Sequence, residues 1–368
     1  MRVCTVVGNR PQFVKAAAVS RHLRTLVEET LIDSGQHYDH ELSQVFFEEL
    51  GLPPADHELA IGSGSHSEQT AALMLRLEPL LRDAPPDAVL VYGDTNTTLA
   101  AALVAAKLQI PLVHVESGMR SFDRSMPEEQ NRIATDHLAD LLLCPTEAAI
   151  ANLAAEGRGE VALLVGDVMA DVALEFGPIA ERRSNALERL ELEEGRFVLA
   201  TLHRQANVDD PPTLKRAVEA IAAAADSVGA LVWPLHPRTR ARLEAGGQLA
   251  AVEGLAGVRV TEPLGYLDFT CLLRGSRAVL TDSGGVQKEA VLAGVPCLTM
   301  RTETEWVETV ESGGNRLVGV SAEAVLDALE HPAEMGGEGD RLEAAYGGGG
   351  AGRRSAEAIA EWIASSAA

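Results

Sequence analysis

Lysine is nearly missing from this 368-residue chain. Only Lys15, Lys107, Lys215 and Lys288 occur, so 27 of the 31 basic residues are arginines. Against 54 acidic residues the formal net charge is −23. A surface so acidic repels polyphosphates and anionic lipid, which excludes non-specific binding to nucleic acid or to a membrane surface. The same imbalance suits a salt-rich cytoplasm, where counter-ions screen self-repulsion. Aromatics make up 4% of the residues. The four cysteines, Cys4, Cys144, Cys271 and Cys297, include no CxxC pair. Three of them sit in apolar runs, which points to small core residues in a reducing compartment and not to disulfides or a zinc site. The chain opens on a strand pattern at residues 3–7, with no basic-then-apolar leader, and no apolar run approaches membrane-spanning length. These features together imply a soluble, cytoplasmic protein.

What the chain does have is 46% apolar residues, enough for packed cores, in a length that favours two domains. Short Val- and Leu-rich runs alternate with amphipathic stretches. The runs lie at 3–7, 30–33, 88–92, 112–115, 141–144 and 161–165, and again at 197–202, 230–233, 258–261, 278–280, 296–300 and 317–318. Runs that are apolar on both faces read as parallel strands buried between helix layers. Two sets of about six predict an α/β fold of two Rossmann-like, doubly wound domains facing a cleft. We place the first domain at 1–170 and the second at 171–350. Gly177-Pro178 and Glu181-Arg182-Arg183 mark the boundary region. A helix at 353–366, following the glycine tract 347–350, would return to the first domain.

Ligands of such sheets bind beyond the carboxyl ends of the strands, so the polar residues there are the candidates. Thr281-Asp282-Ser283-Gly284-Gly285 joins a strand to a helix, and its free N–H groups and helix dipole suit a phosphate. Glu289, one turn into that helix, could accept ribose hydroxyls. Asn9-Arg10-Pro11 with Lys15 forms a second anion site at a helix start. Asp94 and Glu116 end two further strands, and a carboxylate in Glu116's position needs a reason. Glu128, with Glu129, sits in the first turn of a helix opened by Pro127, where a dipole role suffices. His203 and His236 end consecutive strands of the second half. Ile61-Gly62-Ser63-Gly64 matches a phosphate loop only weakly, and the dinucleotide GxGxxG pattern is absent, which argues against NAD. His37 and His40 have loose metal-ligand spacing without a completing carboxylate set, so no metal is assigned.

In their order and spacing these segments resemble the non-hydrolysing UDP-N-acetylglucosamine 2-epimerases, from residue 3 to about 319. The segments are Gly8-Asn9-Arg10-Pro11, Gly35-Gln36-His37-Tyr38, Tyr92-Gly93-Asp94-Thr95-Asn96-Thr97-Thr98, His114-Val115-Glu116-Ser117-Gly118-Met119-Arg120, Met126-Pro127-Glu128-Glu129-Gln130-Asn131-Arg132, Cys144-Pro145-Thr146-Glu147, His203-Arg204 and Thr281-Asp282-Ser283-Gly284-Gly285-Val286-Gln287. The resemblance implies a GT-B-like fold, an inter-domain active site, a homodimer and a UDP-sugar substrate, with no cofactor or metal.

It also implies a reaction in which UDP is eliminated across C1–C2 to a 2-acetamidoglucal and re-added with C2 inverted. Such chemistry needs carboxylates near the sugar and donors for the leaving diphosphate. By motif, Asp94, Glu116, Glu128 and His203 correspond to the catalytic set. Arg10, Lys15, His203, His236, Ser283, Gly284, Gly285 and Glu289 correspond to the nucleotide site. Which carboxylate is base and which is acid stays open. The chain departs from the common pattern at Asn9, Gln12, Ala206 and Gly348, and at Thr304-Glu305-Trp306-Val307-Glu308. That last form also resembles relatives acting on UDP-2,3-diacetamido-2,3-dideoxy-glucuronate. The alternatives are therefore a 2-epimerase of that uronic acid nucleotide or, sharing only the fold, a GT-B glycosyltransferase. Gln36, His37 and residues 62–67 are where a second, activating nucleotide-sugar site could form.

Overall fold

The computed structural model describes residues 1–35, 49–62, 64–331, 346 and 348–366. The histidine pair His37 and His40, together with Gln36 and Ser63, lies outside the described residues. The chain folds as two compact units, Met1–Val172 with Ala345–Ala368, and Ala173–Ala344.

The first unit is built on a seven-stranded parallel sheet in the order β3-β2-β1-β4-β5-β6-β7. Its strands are β1 (Arg2–Val7), β2 (Glu28–Asp33), β3 (His57–Glu58), β4 (Ala88–Tyr92), β5 (Leu112–Val115), β6 (Leu141–Cys144) and β7 (Ala162–Leu164). β4, β5 and β6 are buried at every position, as helices on both faces require. Register is set by contiguous pairs, for example Val3 with Ala88 and Val89 with Leu112.

The second unit holds a six-stranded parallel sheet in the order β10-β9-β8-β11-β12-β13. The strands are β8 (Val198–Thr201), β9 (Leu231–Pro234), β10 (Val258–Thr261), β11 (Ala278–Thr281), β12 (Cys297–Thr299) and β13 (Asn315–Leu317). Renumbered from one, this is the 3-2-1-4-5-6 order of a doubly wound sheet. One of its cores gathers Leu202, Leu214, Ile221, Trp233, Leu280 and Leu298. Each fully buried side chain of this size contributes about 1.5–3 kcal/mol of transfer free energy.

Both sheets reverse direction of winding once, between β1 and β4 and between β8 and β11. At such switch points the two flanking helices run to opposite faces and leave a crevice at the strand ends. In the first unit the Arg10–Leu23 helix follows β1 and the Asn96–Leu108 helix follows β4. In the second, the Gly284–Leu292 helix follows β11.

One local expectation is corrected. Gly177-Pro178 is no break; both residues lie inside the helix Val168–Arg183. A Cβ on Gly177 would come 2.9 Å from Nη1 of Arg274, the movable end of a side chain whose Nε donates to Glu181 at 2.6 Å. The two-residue edge strand β3 has no counterpart among the apolar runs either.

All four cysteines are free and buried. Burial pushes the Cys4, Cys144 and Cys297 thiols up to about 12 and raises that of Cys271 as well. Thiolate is the reactive form, so folded protein should give no reaction with a thiol reagent at mildly alkaline pH, and all four cysteines should react after denaturation. Labelling of the native protein would contradict this burial. Among the described residues no helix is long and apolar enough to cross a membrane.

Candidate active site

At the first switch point Asn9 caps the Arg10–Leu23 helix, its side chain accepting from Gln12 N–H at 3.2 Å. Gln12 is buried and donates to Tyr92 O, Thr95 Oγ1 and Thr98 Oγ1 at 2.9–3.0 Å. It therefore ties the helix start to the loop after β4. Arg10 opens this helix and Lys15 lies just over one turn along it. The Lys15 ammonium is ion-paired with the Glu116 carboxylate, and both side chains are about nine-tenths buried. Gly93 makes room for that pair: a Cβ there would lie 3.0 Å from Lys15 Nζ and 3.3 Å from Glu116 Oε2, at a φ of +62°. Glu116 itself has a φ of +67°. A non-glycine residue in that region costs about 1–3 kcal/mol and needs surrounding contacts to hold it.

Asp94, the next residue along from Gly93, keeps a third of its side chain exposed and is ion-paired with buried Arg132. Asn131 donates to Asp94 O at 3.0 Å. Thr95, not Asp94, caps the Asn96–Leu108 helix, in a capping box with Thr98. Arg132 has a second partner, Glu129 Oε2, at 3.2 Å. Glu129 also accepts Ser121 N and Oγ and Phe122 N, at 3.0, 3.1 and 3.0 Å. It is thus no dipole partner in solvent but a buried anchor for the loop before the Pro127–Leu138 helix. That loop displays Phe122, exposed and at a φ of +60°. Glu128, its neighbour, is half-buried at the helix start.

The second switch point is organised by Asp282. This fully buried carboxylate accepts His203 N at 3.0 Å, Arg204 N at 2.8 Å and Asn207 Nδ2 at 3.1 Å. The His203 ring is 36% exposed, places Nδ1 3.4 Å from Asp282 and stacks on His236 with centroids 5.1 Å apart. His236 caps the Pro237–Ala245 helix by accepting Arg238 N–H. Ser283 is the N-cap of the Gly284–Leu292 helix, yet among the described residues its side chain makes no capping hydrogen bond. Gly284 is approached closely: a Cβ would meet Glu305 Oε1 at 2.5 Å and Trp306 Nε1 at 3.0 Å, whereas one on Gly285 would meet nothing within 4 Å. Glu305 is held between Arg204 at 3.2 Å and Arg301 at 2.8 Å. Buried Lys288 places its ammonium 3.5 Å from the Trp306 ring centroid. Glu289 is buried on the same helix.

The candidates thus fall into two groups. Arg10, Lys15, Asp94, Glu116 and Glu128 collect in the first unit, and His203, His236, Ser283, Gly284, Gly285 and Glu289 in the second. Sequence reasoning gave no supporting role to the residues that hold them: Glu129, Arg132, Asp136 and His114 in one unit, Asp282, Arg204 and Glu305 in the other. A signal existed for the first set. Glu129, Arg132 and Asp136 share one helix face at spacings of three and four, where a buried face would normally be apolar.

Asp136 is fully buried. Burial pushes its carboxyl upward, but the hydrogen bond and charge of His114, and then Arg120, hold it below the usual value. The bidentate Arg120 hydrogen bonds similarly lower Glu156. A carboxyl depressed in the folded state adds stability above its unfolded value near 4, and that stability is lost as pH falls through the folded value. The thermal midpoint should therefore be level from neutrality down to about pH 5 and drop below about pH 4. A decline setting in near pH 6 would mean another group governs acid unfolding.

Two Rossmann-like sheets with charged residues gathered at their switch points define a GT-B-like α/β protein. A family model for UDP-N-acetylglucosamine 2-epimerase matches residues 21–360, and the chain belongs to that family of isomerases. It is 44% identical over 366 residues to the UDP-2,3-diacetamido-2,3-dideoxy-D-glucuronate 2-epimerase of Pseudomonas aeruginosa, covering 98% of this chain and 100% of the relative. It is 42% identical over 336 residues to the UDP-N-acetylglucosamine 2-epimerase of Methanocaldococcus jannaschii, covering 90% and 92%. A crystal structure of a M. jannaschii UDP-GlcNAc 2-epimerase in complex with UDP-GlcNAc and UDP superposes with a TM-score of 0.91 at 39% identity, over 98% of this chain and 99% of that one. The UDP-GlcNAc-bound enzyme of Neisseria meningitidis gives 0.87 at 29%, over 98% and 100%.

Proposed function

We propose that the protein interconverts UDP-GlcNAc and UDP-ManNAc without hydrolysis. The observation that carries this reading is the pair of carboxylates, Asp94 and Glu116, at adjoining strand ends of one switch point, each against a cation. The C2 hydrogen of the sugar has no neighbouring carbonyl, so direct removal to a carbanion is prohibitive. Loss of UDP relieves that difficulty. A carboxylate takes the C2 proton, the C1–O bond breaks toward the diphosphate, and a 2-acetamidoglucal results. UDP oxygen then re-adds at C1 while a proton returns to C2 on the opposite face.

Asp94, Glu116 and Glu128 are the proton carriers in this scheme. The departing diphosphate requires donors, and His203, the Ser283-Gly284-Gly285 turn, Arg10 and Lys15 have the right chemistry. Glu289 accepts the ribose hydroxyls, and His236, stacked on His203, steadies that ring. The enzyme works as a homodimer, which light scattering would test against the 39.0 kDa chain mass.

A second substrate is favoured by one observation. The relative named for the diacetamido uronic acid nucleotide matches over 98% of the chain. Proton NMR in D2O at high salt separates the readings. UDP-ManNAc carrying deuterium at C2 supports the first. Turnover of the uronic acid nucleotide alone supports the second. Release of UDP with free sugar would mean hydrolysis and sink both.

A further inference from the structure

We propose that Asp136 is a positioning residue that locks the loops carrying Asp94 and Glu116 into a single register. Its two oxygens reach both loops. Oδ1 lies 2.7 Å from His114 Nδ1, and His114 Nε2 lies 2.7 Å from Gly93 O, in the residue before Asp94. Oδ2 accepts Gly118 N–H at 3.1 Å, two residues after Glu116, and Arg120 Nη1 at 2.7 Å. His114 and Asp136 are both fully buried.

Both ring nitrogens of His114 lie 2.7 Å from an oxygen, so the ring bridges the Asp136 carboxylate to the Gly93 carbonyl and cannot turn without breaking one contact. Arg120 on the other oxygen, itself paired with Glu156 at 2.7 Å, completes the polar cluster. An apolar plug could fill this volume with less desolvation. What it could not supply is direction, and the loops need it. Glu116 is held in the left-handed region, which persists only where neighbours dictate it. Gly118, at a φ of +79°, is pressed so closely on the Glu147–Ala155 helix that a Cβ would meet Ala149 O at 2.5 Å. The bond from Gly118 N–H to Asp136 fixes the far end of that turn, and the His114 bond fixes the loop beside it.

This inference rests on the catalytic reading of Asp94 and Glu116, so its test has an arm independent of turnover. In full-length Asp136→Asn, kcat for UDP-GlcNAc should fall about 100-fold, the scale of a misplacement near 1 Å. KM and UDP affinity should stay near wild type. His114→Gln, which keeps a donor for Gly93 O but not the rigid link to Asp136, should show the same kcat-selective loss and serves if Asp136→Asn does not fold. Independently, ring ¹⁵N spectra should show both His114 nitrogens hydrogen-bonded in wild type and a displaced Nδ1 resonance in Asp136→Asn. Wild-type kcat in either folded variant, a loss confined to KM, or an Nδ1 resonance unmoved by Asp136→Asn would overturn the proposal. Wild-type protein inert toward both UDP-sugars would instead remove the catalytic reading, and the ring spectra would still decide the Asp136–His114–Gly93 link.

Discussion

Replacing Asp94 with asparagine should lower kcat by roughly 10²–10⁴-fold, the range for loss of a positioned general acid or base. The change keeps the size of the side chain and removes its capacity to carry a proton. Two features confine the effect to chemistry. Arg132 loses one charged partner but keeps Glu129 at 3.2 Å, so the guanidinium stays placed. Asp94 is also a third exposed, so solvent compensates part of the lost ion pair. UDP affinity should be nearly unchanged, because most of the groups assigned to the nucleotide belong to the other unit. Titration with UDP alongside turnover checks both halves of this expectation. Full activity in the variant would remove Asp94 from the mechanism, and parallel loss of UDP binding would make it a structural residue instead.

The architecture was readable because parallel strands buried on both faces leave unbroken apolar runs. Residues 88–92, 112–115, 141–144 and 258–261 have the bounds expected from pattern alone. β3 was not readable. His57–Glu58 is exposed, two residues long and paired on one side only, so no periodicity marks it. Gly177-Pro178 misled for the converse reason. Its local preference for a break does not prevail, and the helix Val168–Arg183 runs through both residues.

At the site, strand-end position singled out Asp94 and Glu116, since a carboxylate beyond an apolar strand is conspicuous. Their supports were hidden by a sound rule misapplied. Acidic residues in a helix's first turn normally serve the dipole in solvent, and that reading of Glu129 left Arg132 and Asp136, on the same helix face, without a role. In the folded chain that face is buried, and the charges satisfy one another and the loops around them. Pairing across 16 to 38 residues, as in Arg120 with Asp136 or Arg132 with Asp94, leaves no trace in local spacing.

The largest expected effect on stability belongs to a residue far from any of this chemistry. Gly352 is the second residue of the Ala351–Ser366 helix, which packs along the Arg10–Leu23 helix. A Cβ on Gly352 would lie 2.2 Å from Ala18 O and 2.7 Å from Ala18 C, and backbone in mid-helix cannot withdraw as a side chain could. Gly352→Val must therefore lift the C-terminal helix. Its inward face carries Ala356, Ile359 and Ile363, and its start is stitched down by Gly352 N–H to Asp171 at 2.8 Å and Arg354 Nε to Val165 O at 2.7 Å. Partial exposure of two isoleucines adds to an overpacking cost of about 1–3 kcal/mol, so a total of about 3 kcal/mol or more is expected in urea unfolding. Gly285→Ala, with nothing within 4 Å of its Cβ and a helical position that favours alanine, should unfold at or above the wild-type midpoint. Equal midpoints for Gly352→Val and wild type would mean that the C-terminal helix is not held at this distance from Ala18.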